Sequence, residues 1–240
     1  MNAAAILLCA GRGERLGRGD AKALVPLAGR PLFTWSLEAL ERCAAIRAIV
    51  VVGDVARLRP AAEAAGLGER VVAWTAGGKE RQDSVARGLA ALPREFDLVA
   101  IHDSARALVT PELVGRVVAD AAARGAAIAA APLEDTLKAA SLGAITRTVP
   151  RAGLWRAQTP QAFRRDWLER AHAEAHGTAT DDAALVEALG LEVRITEGDA
   201  MNFKITRDRD VELAEAALAA RAAHAGAADA AGSAADEARG

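Results

Sequence analysis

The chain has 240 residues, a length that suits one α/β domain, and 52% of them are apolar, enough for a sizeable core. Aromatic residues make up only 3% and tyrosine is absent, so packing rests on Leu, Val, Ile and Ala. A formal net charge of −2 excludes a global basic field that would attract nucleic acid or an anionic membrane, and any anion site has to be local.

In chain order, strands are expected at 3–8, 48–53, 70–74, 97–102 and 126–132, with helices at 31–44, 55–65, 80–92 and 111–124 between them. The strands are apolar almost throughout, the pattern of parallel strands covered on both faces. Thr110 followed by Pro111 marks a helix start, an N-cap and then proline at the first helical position. Alternation of this kind implies a mostly parallel sheet with right-handed crossovers, flanked by helices.

From Pro132 to Pro160 the rhythm breaks, and SLGAITRTVPRAGLW reads as an extended excursion or hairpin arm over about 133–160. It carries too few apolar residues to bury itself, which points to packing against a partner subunit. Helices are expected again at 165–176 and 180–189, strands at 192–197 and 202–206, and a helix from 208 to about 220. Thr180, Asp181 and Asp182 read as a helix start favoured by the dipole. Residues 221–240 are Ala/Gly-rich and low in complexity, and disorder is expected there, outside a domain of residues 1–220. Cys9 and Cys43 have no metal or redox spacing and suit a reducing compartment. The start MNAAAILLCAG lacks a basic n-region, and no stretch approaches the roughly 20 apolar residues of a membrane span, so a cytoplasmic protein is expected.

Three strings carry the chemistry. The first, LLCAGRGERLGRGDAK, leaves a strand and passes through four glycines and four cations by Lys22. Exposed backbone N–H groups in such a turn bind phosphate. The string is neither a P-loop nor a dinucleotide fingerprint: it has no G-x-x-x-x-G-K-[ST], its glycines open no helical pattern, and Asp54, the first acid after the second strand, lies too far along. Arg15 within the loop and Lys22 at its exit suit a triphosphate. The second, GGKERQDSVARGL, offers two glycines for close approach of a base or sugar, with Arg81 and Ser84 as polar contacts. The third, IHDSAR, ends a strand where ligands of open α/β sheets bind, and Asp103 there suits Mg2+. His102 reads as structural.

These strings, in this order and spacing, resemble the 2-C-methyl-D-erythritol 4-phosphate cytidylyltransferase family of non-mevalonate isoprenoid synthesis. EDTLK, TVPRAGLWRAQTPQAF, TDDAALVEALG and NFKITRDRD agree with it, so the likeness spans about residues 3–218. It implies a Rossmann-like nucleotidyltransferase domain that moves CMP from CTP to a sugar-alcohol phosphate. It also implies a homodimer in which an arm from each subunit reaches the other's site. On that resemblance Ala10, Gly11, Gly13, Arg15 and Lys22 wrap the CTP triphosphate, Gly78 and Ser84 face the cytosine, and Asp103 sits at the Mg2+. Thr136, Arg151 and Lys204 meet the methylerythritol phosphate or the reacting phosphates, and Arg106 is a further substrate contact.

The chain departs from the family's pattern at Ala21 and Ala23, where the family writes Pro and Gln around the lysine, at Ala107, where a proline is usual, and at Cys9, usually a small residue or proline. None removes a charge that the chemistry needs. The other readings are a cytidylyltransferase for another polyol phosphate such as ribitol 5-phosphate, which the arm and residues 136–138 would discriminate, and a nucleotide-binding protein without catalysis. The second of these is expected to lack Lys22, Asp103 or Lys204, and all three are present.

Overall fold

The computed structural model describes residues 2–11 and 21–237, with side chains to His224. Its centre is a seven-stranded sheet in the order β11-β7-β10-β6-β1-β4-β5. These strands are β1 (Ala3–Leu8), β4 (Ile46–Val52), β5 (Val71–Thr75), β6 (Leu98–Asp103), β7 (Ala126–Pro132), β10 (Trp155–Arg164) and β11 (Arg194–Glu197). All neighbours pair in parallel except β10, which runs antiparallel between β6 and β7. A two-residue ribbon, β2 (Pro26–Leu27) and β3 (Arg30–Pro31), stands apart, as does the hairpin β8 (Leu137–Ser141) with β9 (Ala144–Val149).

Successive side chains of a strand point to opposite faces, and β1 shows the consequence. Ala3, Ala5 and Leu7 enter one core with α1 (Leu32–Arg42), α2 (Val55–Ala64) and α4 (Pro111–Arg124). Ala4, Ile6 and Leu8 enter a second core with α3 (Arg81–Ala91), α5 (Arg165–Ala173) and α6 (Asp182–Ala188). A third cluster packs α7 (Asp208–Glu237) onto the β2–β3 ribbon and the loop after β6. Helices thus cover both faces, as near-continuous apolar strands require.

The chain leaves β1 for α1 and β4 on one side, and leaves β6 for α4 and β7 on the other. The carboxyl ends of β1 and β6 therefore border the crevice where the winding direction reverses, the place where open α/β sheets bind ligands.

Four differences from the sequence expectation have local causes. Residues 155–160, expected in the arm, belong to β10. Its buried Gln158, Thr159 and Gln161 read as polar breaks, and Pro160 falls where the pairing with β7 shifts register, a position that needs no ladder donor. Residues 202–206 alternate like a strand, with Ile205 buried and Lys204 exposed, but they pair with no strand. They lie along the loop after β6 instead, with Ile205 N–H donating to Ala105 O at 2.8 Å. The 3₁₀ turn Lys22–Leu24 and the β2–β3 ribbon were unforeseen. The last helix runs past the expected end near 220, to Glu237, through a run rich in alanine, the strongest helix former.

Helix α3 is held at both ends. Glu80 and Asp83 form a reciprocal capping box at its start. At its finish the guanidinium of the buried Arg165 donates to the carbonyls of Leu89 at 3.2 Å, Leu92 at 3.0 Å and Pro93. Removing that cation takes a donor from three carbonyls at once, of which Leu89 O still accepts the Leu92 N–H at 3.3 Å. Arg165→Ala is expected to lower the unfolding free energy by about 2–3 kcal/mol in urea titration, the scale of hydrogen bonds to a charged group. A change under about 0.5 kcal/mol would show that the clamp contributes nothing.

Candidate active site

At the crevice the structure forms a cleft of about 660 Å³. Its lining brings together Ala10, Gly11, Lys22, Gly78, Ser84, Asp103 and Lys204, seven of the residues singled out in the sequence. Gly13 and Arg15 lie outside the described residues. Lys22 N–H donates to Gly11 O at 3.2 Å, which joins the residues on either side of 12–20.

The two glycines after β5 have a packing reason. A Cβ on Gly77 would stand 2.4 Å from Ala10 Cβ, and one on Gly78 would stand 2.1 Å from Asp83 Cβ. The loop is therefore pressed between the β1 turn and the first turn of α3. Ser84, almost fully buried, accepts Gly78 N–H at 2.9 Å and donates to Glu80 O at 3.2 Å. Its hydroxyl staples the loop whose surface Gly78 presents to the cleft.

Asp103, the last residue of β6, sits at the centre. Lys204 Nζ approaches its Oδ2 at 2.6 Å and Arg81 Nε its Oδ1 at 3.3 Å. Burial pushes the carboxyl up, but the charges of Lys204 and Arg81 outweigh it and hold Asp103 well below the usual carboxylate range. Arg81 reaches past Asp103 to Asp182 Oδ2 at 2.6 Å, and Asp182 Oδ1 meets His172 Nε2 at 3.0 Å. Around the cleft four cations, Lys22, Lys79, Arg81 and Lys204, face two carboxylates, Glu80 and Asp103, on a chain whose net charge is −2. The positive field is local.

A second chain of hydrogen bonds fixes the backbone of Asp103. Its N–H donates to Thr159 Oγ1 at 3.0 Å, and Thr159 lies 3.1 Å from His102 Nδ1. His102 Nε2 is 3.3 Å from Arg106 O, which can only accept. The proton therefore belongs on Nε2, and Nδ1 accepts from the threonine hydroxyl. Burial lowers the His102 pKa to about 4. The imidazole is a neutral strut.

Other expected site residues lie elsewhere. Arg106 turns its guanidinium to Asn202 O at 2.8 Å and Ala157 O at 3.1 Å and is absent from the cleft lining, so it clamps the segment that carries Lys204. Thr136 and Arg151 are exposed on the arm and do not line the cleft. Asp181 is the N-cap, its side chain accepting Ala184 N–H at 3.0 Å, as its place in TDDAALVEALG implies. Asp182, read as a first-turn acid, is only 1% exposed and paired with Arg81. The sequence alone does not mark Asp182, His172 or Thr159 as site residues, because each needs a partner more than ten positions away or on another element. Arg81 was legible as a polar contact but not as a bridge.

Comparisons with known proteins agree with this geometry. The model of the family described as IspD, 2-C-methyl-D-erythritol 4-phosphate cytidylyltransferase, matches residues 3–220. A curated relative of that name from Parasynechococcus marenigrum (strain WH8102) is 42% identical over 217 residues, covering 89% of this chain and 96% of its own. Another, from Pelotomaculum thermopropionicum, is 43% identical over 223 residues, covering 90% and 93%. The crystal structure of the enzyme of that name from Thermus thermophilus superposes with a TM-score of 0.73 at 37% identity, covering 89% of this chain and 97% of that one. Fold, cleft and likeness together define a nucleotidyltransferase, an enzyme that moves a nucleotidyl group between phosphates. The chain belongs to the 2-C-methyl-D-erythritol 4-phosphate cytidylyltransferase family.

His102 carries a pH prediction. Its folded pKa, about 4, lies below the ordinary value of 6.5, so the unfolded chain binds the extra proton first as pH falls. The stability due to neutral His102 is complete above about pH 6.5 and is lost as pH falls toward 4. Urea midpoints are expected to decline across that window, with the His102 imidazole resonances unshifted until about pH 5. An imidazole that titrates near 6.5 in the folded protein would remove the strut.

Proposed function

We propose that this cleft transfers CMP from CTP to 2-C-methyl-D-erythritol 4-phosphate, releasing pyrophosphate and 4-diphosphocytidyl-2-C-methyl-D-erythritol. The observation that carries the reading is the ring of Lys22, Lys79, Arg81 and Lys204 around a single buried carboxylate at the crevice between β1 and β6. Two polyanions repel each other, and a pocket of fixed cations offsets that repulsion. A phosphate oxygen of the sugar phosphate attacks the α-phosphorus of CTP. The new P–O bond forms as the bond to the β-phosphate oxygen breaks, and the electron pair leaves with pyrophosphate. The nucleophile is already ionised at neutral pH, so no general base is required, in keeping with a buried, neutral His102.

In this reading Gly11, Ala10 and Lys22, with Gly13 and Arg15 of the same loop, hold the triphosphate, and Gly78 with the Ser84-stapled turn faces the base. Lys204 leaves Asp103 for a phosphate oxygen when substrate arrives, which its 42% side-chain exposure permits. The donor set also suits a divalent cation. Asp103 offers a hard oxygen at the cleft, while burial pushes the Cys9 thiol up to about 12 and keeps it a poor soft ligand. Mg2+ takes one or two carboxylates and fills its shell with phosphate oxygens and water. Asp103 would hold it, and the ion would supply charge neutralisation on the phosphates.

Among the described residues no helix is long and apolar enough to cross a membrane, and a cytoplasmic setting suits the two buried free cysteines. The arm, with Leu142, Ile145 and Leu154 exposed and the exposed Trp155 of β10 beside it, supports a homodimer in which Thr136 and Arg151 of one subunit serve the other's cleft.

The decisive assay mixes purified protein and Mg2+ with each nucleoside triphosphate and either methylerythritol 4-phosphate or ribitol 5-phosphate. Pyrophosphate is expected from CTP with methylerythritol 4-phosphate, and Lys22→Ala is expected to lower kcat by about 10²–10³. Release from ribitol 5-phosphate alone would reassign the acceptor, and a loss under about threefold would remove Lys22 from the mechanism.

The crossing of the arm has its own test. Arg151→Ala is expected to raise KM for the sugar phosphate at least tenfold more than KM for CTP (about the worth of one bidentate grip). When Lys22→Ala and Arg151→Ala proteins exchange subunits, each mixed dimer regains one intact site, restoring about a quarter of wild-type activity. No recovery after verified exchange would place each arm on its own cleft.

A further inference from the structure

We infer that Asp182 is a positioning residue for this reaction, acting through Arg81 on the Asp103 carboxylate; the inference rests on the function proposed above. Arg81 is shared by two acids. Its Nη1 lies 2.6 Å from Asp182 Oδ2, while its Nε lies 3.3 Å from Asp103 Oδ1. The shorter contact is with Asp182, which is only 1% exposed and stands on another element, the first turn of α6. Its other oxygen is fixed by His172 of α5 at 3.0 Å, itself only 7% exposed at the side chain.

A carboxylate this deeply buried cannot be left without its cation, because the loss of one partner from a buried pair is strongly destabilising. Asp182 therefore ties Arg81 down whether or not substrate is present. Two cations meet Asp103, and they differ in kind. Lys204 is 42% exposed, pairs with Asp103 and rides on a segment outside any sheet. Arg81 is 29% exposed, is braced at its far end and starts a capped helix. Lys204 is the exchangeable cation and Arg81 the fixed one.

Without Asp182, Arg81 has only Asp103 to pair with and closes on it, taking the lone pairs that the reaction needs free. The brace thus sets how much of Asp103 is available at the crevice. His172, by fixing Asp182, is the outermost member of the same chain.

The test compares wild type, Asp182→Asn, Arg81→Met and the double variant in the pyrophosphate assay, with urea unfolding of each. Asparagine keeps the size of the side chain and one acceptor oxygen for Arg81, while it removes the charge and turns an amide N–H toward the His172 ring. Asp182→Asn is expected to lower kcat by about 10–10²-fold, the scale of a misplaced reacting group, with KM for CTP changed less than about threefold. If Asp182 acts through Arg81, the double variant has the kcat of Arg81→Met, because the losses do not multiply. Its unfolding midpoint also rises above that of Arg81→Met, since no buried acid is left unpaired. A purely structural Asp182 would lower the midpoint and leave kcat of the folded enzyme unchanged.

Asp182→Asn activity within about twofold of wild type, or losses that multiply in the double variant, would overturn the inference. Should Asp182→Asn fail to accumulate, His172→Leu reads the same link from its outer end. A kcat loss of about threefold or more with KM unmoved supports it, and unchanged kcat overturns it. If wild type itself releases no pyrophosphate, the reading of the cleft fails separately. The unfolding midpoints then decide the Arg81–Asp182 link alone, and a double variant no more stable than Arg81→Met overturns it.

Discussion

The carboxylate of Asp103 is the constraint on which the rest of the site turns. It ends a central strand with its side chain 13% exposed, and an isolated charge so placed would protonate or unfold its surroundings. Two cations prevent this, and each comes from a different part of the chain: Arg81 from the start of α3, Lys204 from the segment before α7. A third part, β10, supplies the Thr159 hydroxyl that accepts the Asp103 backbone N–H. Bringing these segments to one atom group requires that the parallel sheet, the antiparallel insertion and the terminal helix all dock correctly. The fold and the charge balance of the site are therefore one problem, with stability of the ion cluster contingent on the topology and access to the cleft contingent on the cluster.

The same cluster explains how a nearly neutral chain presents a strongly positive crevice. Acids elsewhere balance the count, many of them in exposed pairs such as Arg59 with Glu63 or Arg194 with Glu192, worth little to stability and nothing to the cleft. At the crevice Asp103 and Asp182 are buried, so Arg81 between them stays in place and projects a field that solvent screens poorly. A buried Asp182 is useful there because it fixes a cation without exposing its own charge to the mouth. Neutral His102 serves in the complementary way, fixing the Asp103 backbone without adding a positive charge beneath the carboxylate.

Much of this was legible in the sequence, and the failures have common physical causes. Apart from residues 22–31, strand and helix positions along the described part of the first 132 residues follow from apolar runs and caps, and Pro111–Arg124 and Ala126–Pro132 fall where Thr110, Pro111 and the alanine run put them. Residues that meet through local chain order, such as Ala10 with Gly11 or Gly78 with Ser84, were found because the turn that joins them is itself a signal. β10 was missed because its buried face is built from glutamines and a threonine whose partners, Asp199, Asp181 and His102, are far along the chain. Polar residues that hydrogen-bond at long range look like loop until the fold is known. Arg106 differs in another way: its place in the Asp-x-x-Arg string suggested a ligand contact, and the structure shows its guanidinium donating to two backbone carbonyls.

The arm poses the remaining structural question, and its composition answers part of it. β8 and β9 pair only with each other, and nearly every side chain from 140 to 148 is exposed, including Leu142 and Ile145. A two-stranded ribbon is marginal in water, so this one needs a surface to lie on. Among the described residues the ribbon forms no ladder with the seven-stranded sheet, and it branches from that sheet between Pro132 and Trp155. A second copy of the chain would, under two-fold symmetry, offer each arm the same surface that it receives. If the cations of this cleft serve one polyphosphate, as proposed, a second phosphate substrate calls for a further cation from outside its lining. Among the described residues, Arg151 and Thr136 are exposed on an arm that could bring it. The exposure that makes the arm costly to a single chain is then the feature that makes a paired site possible.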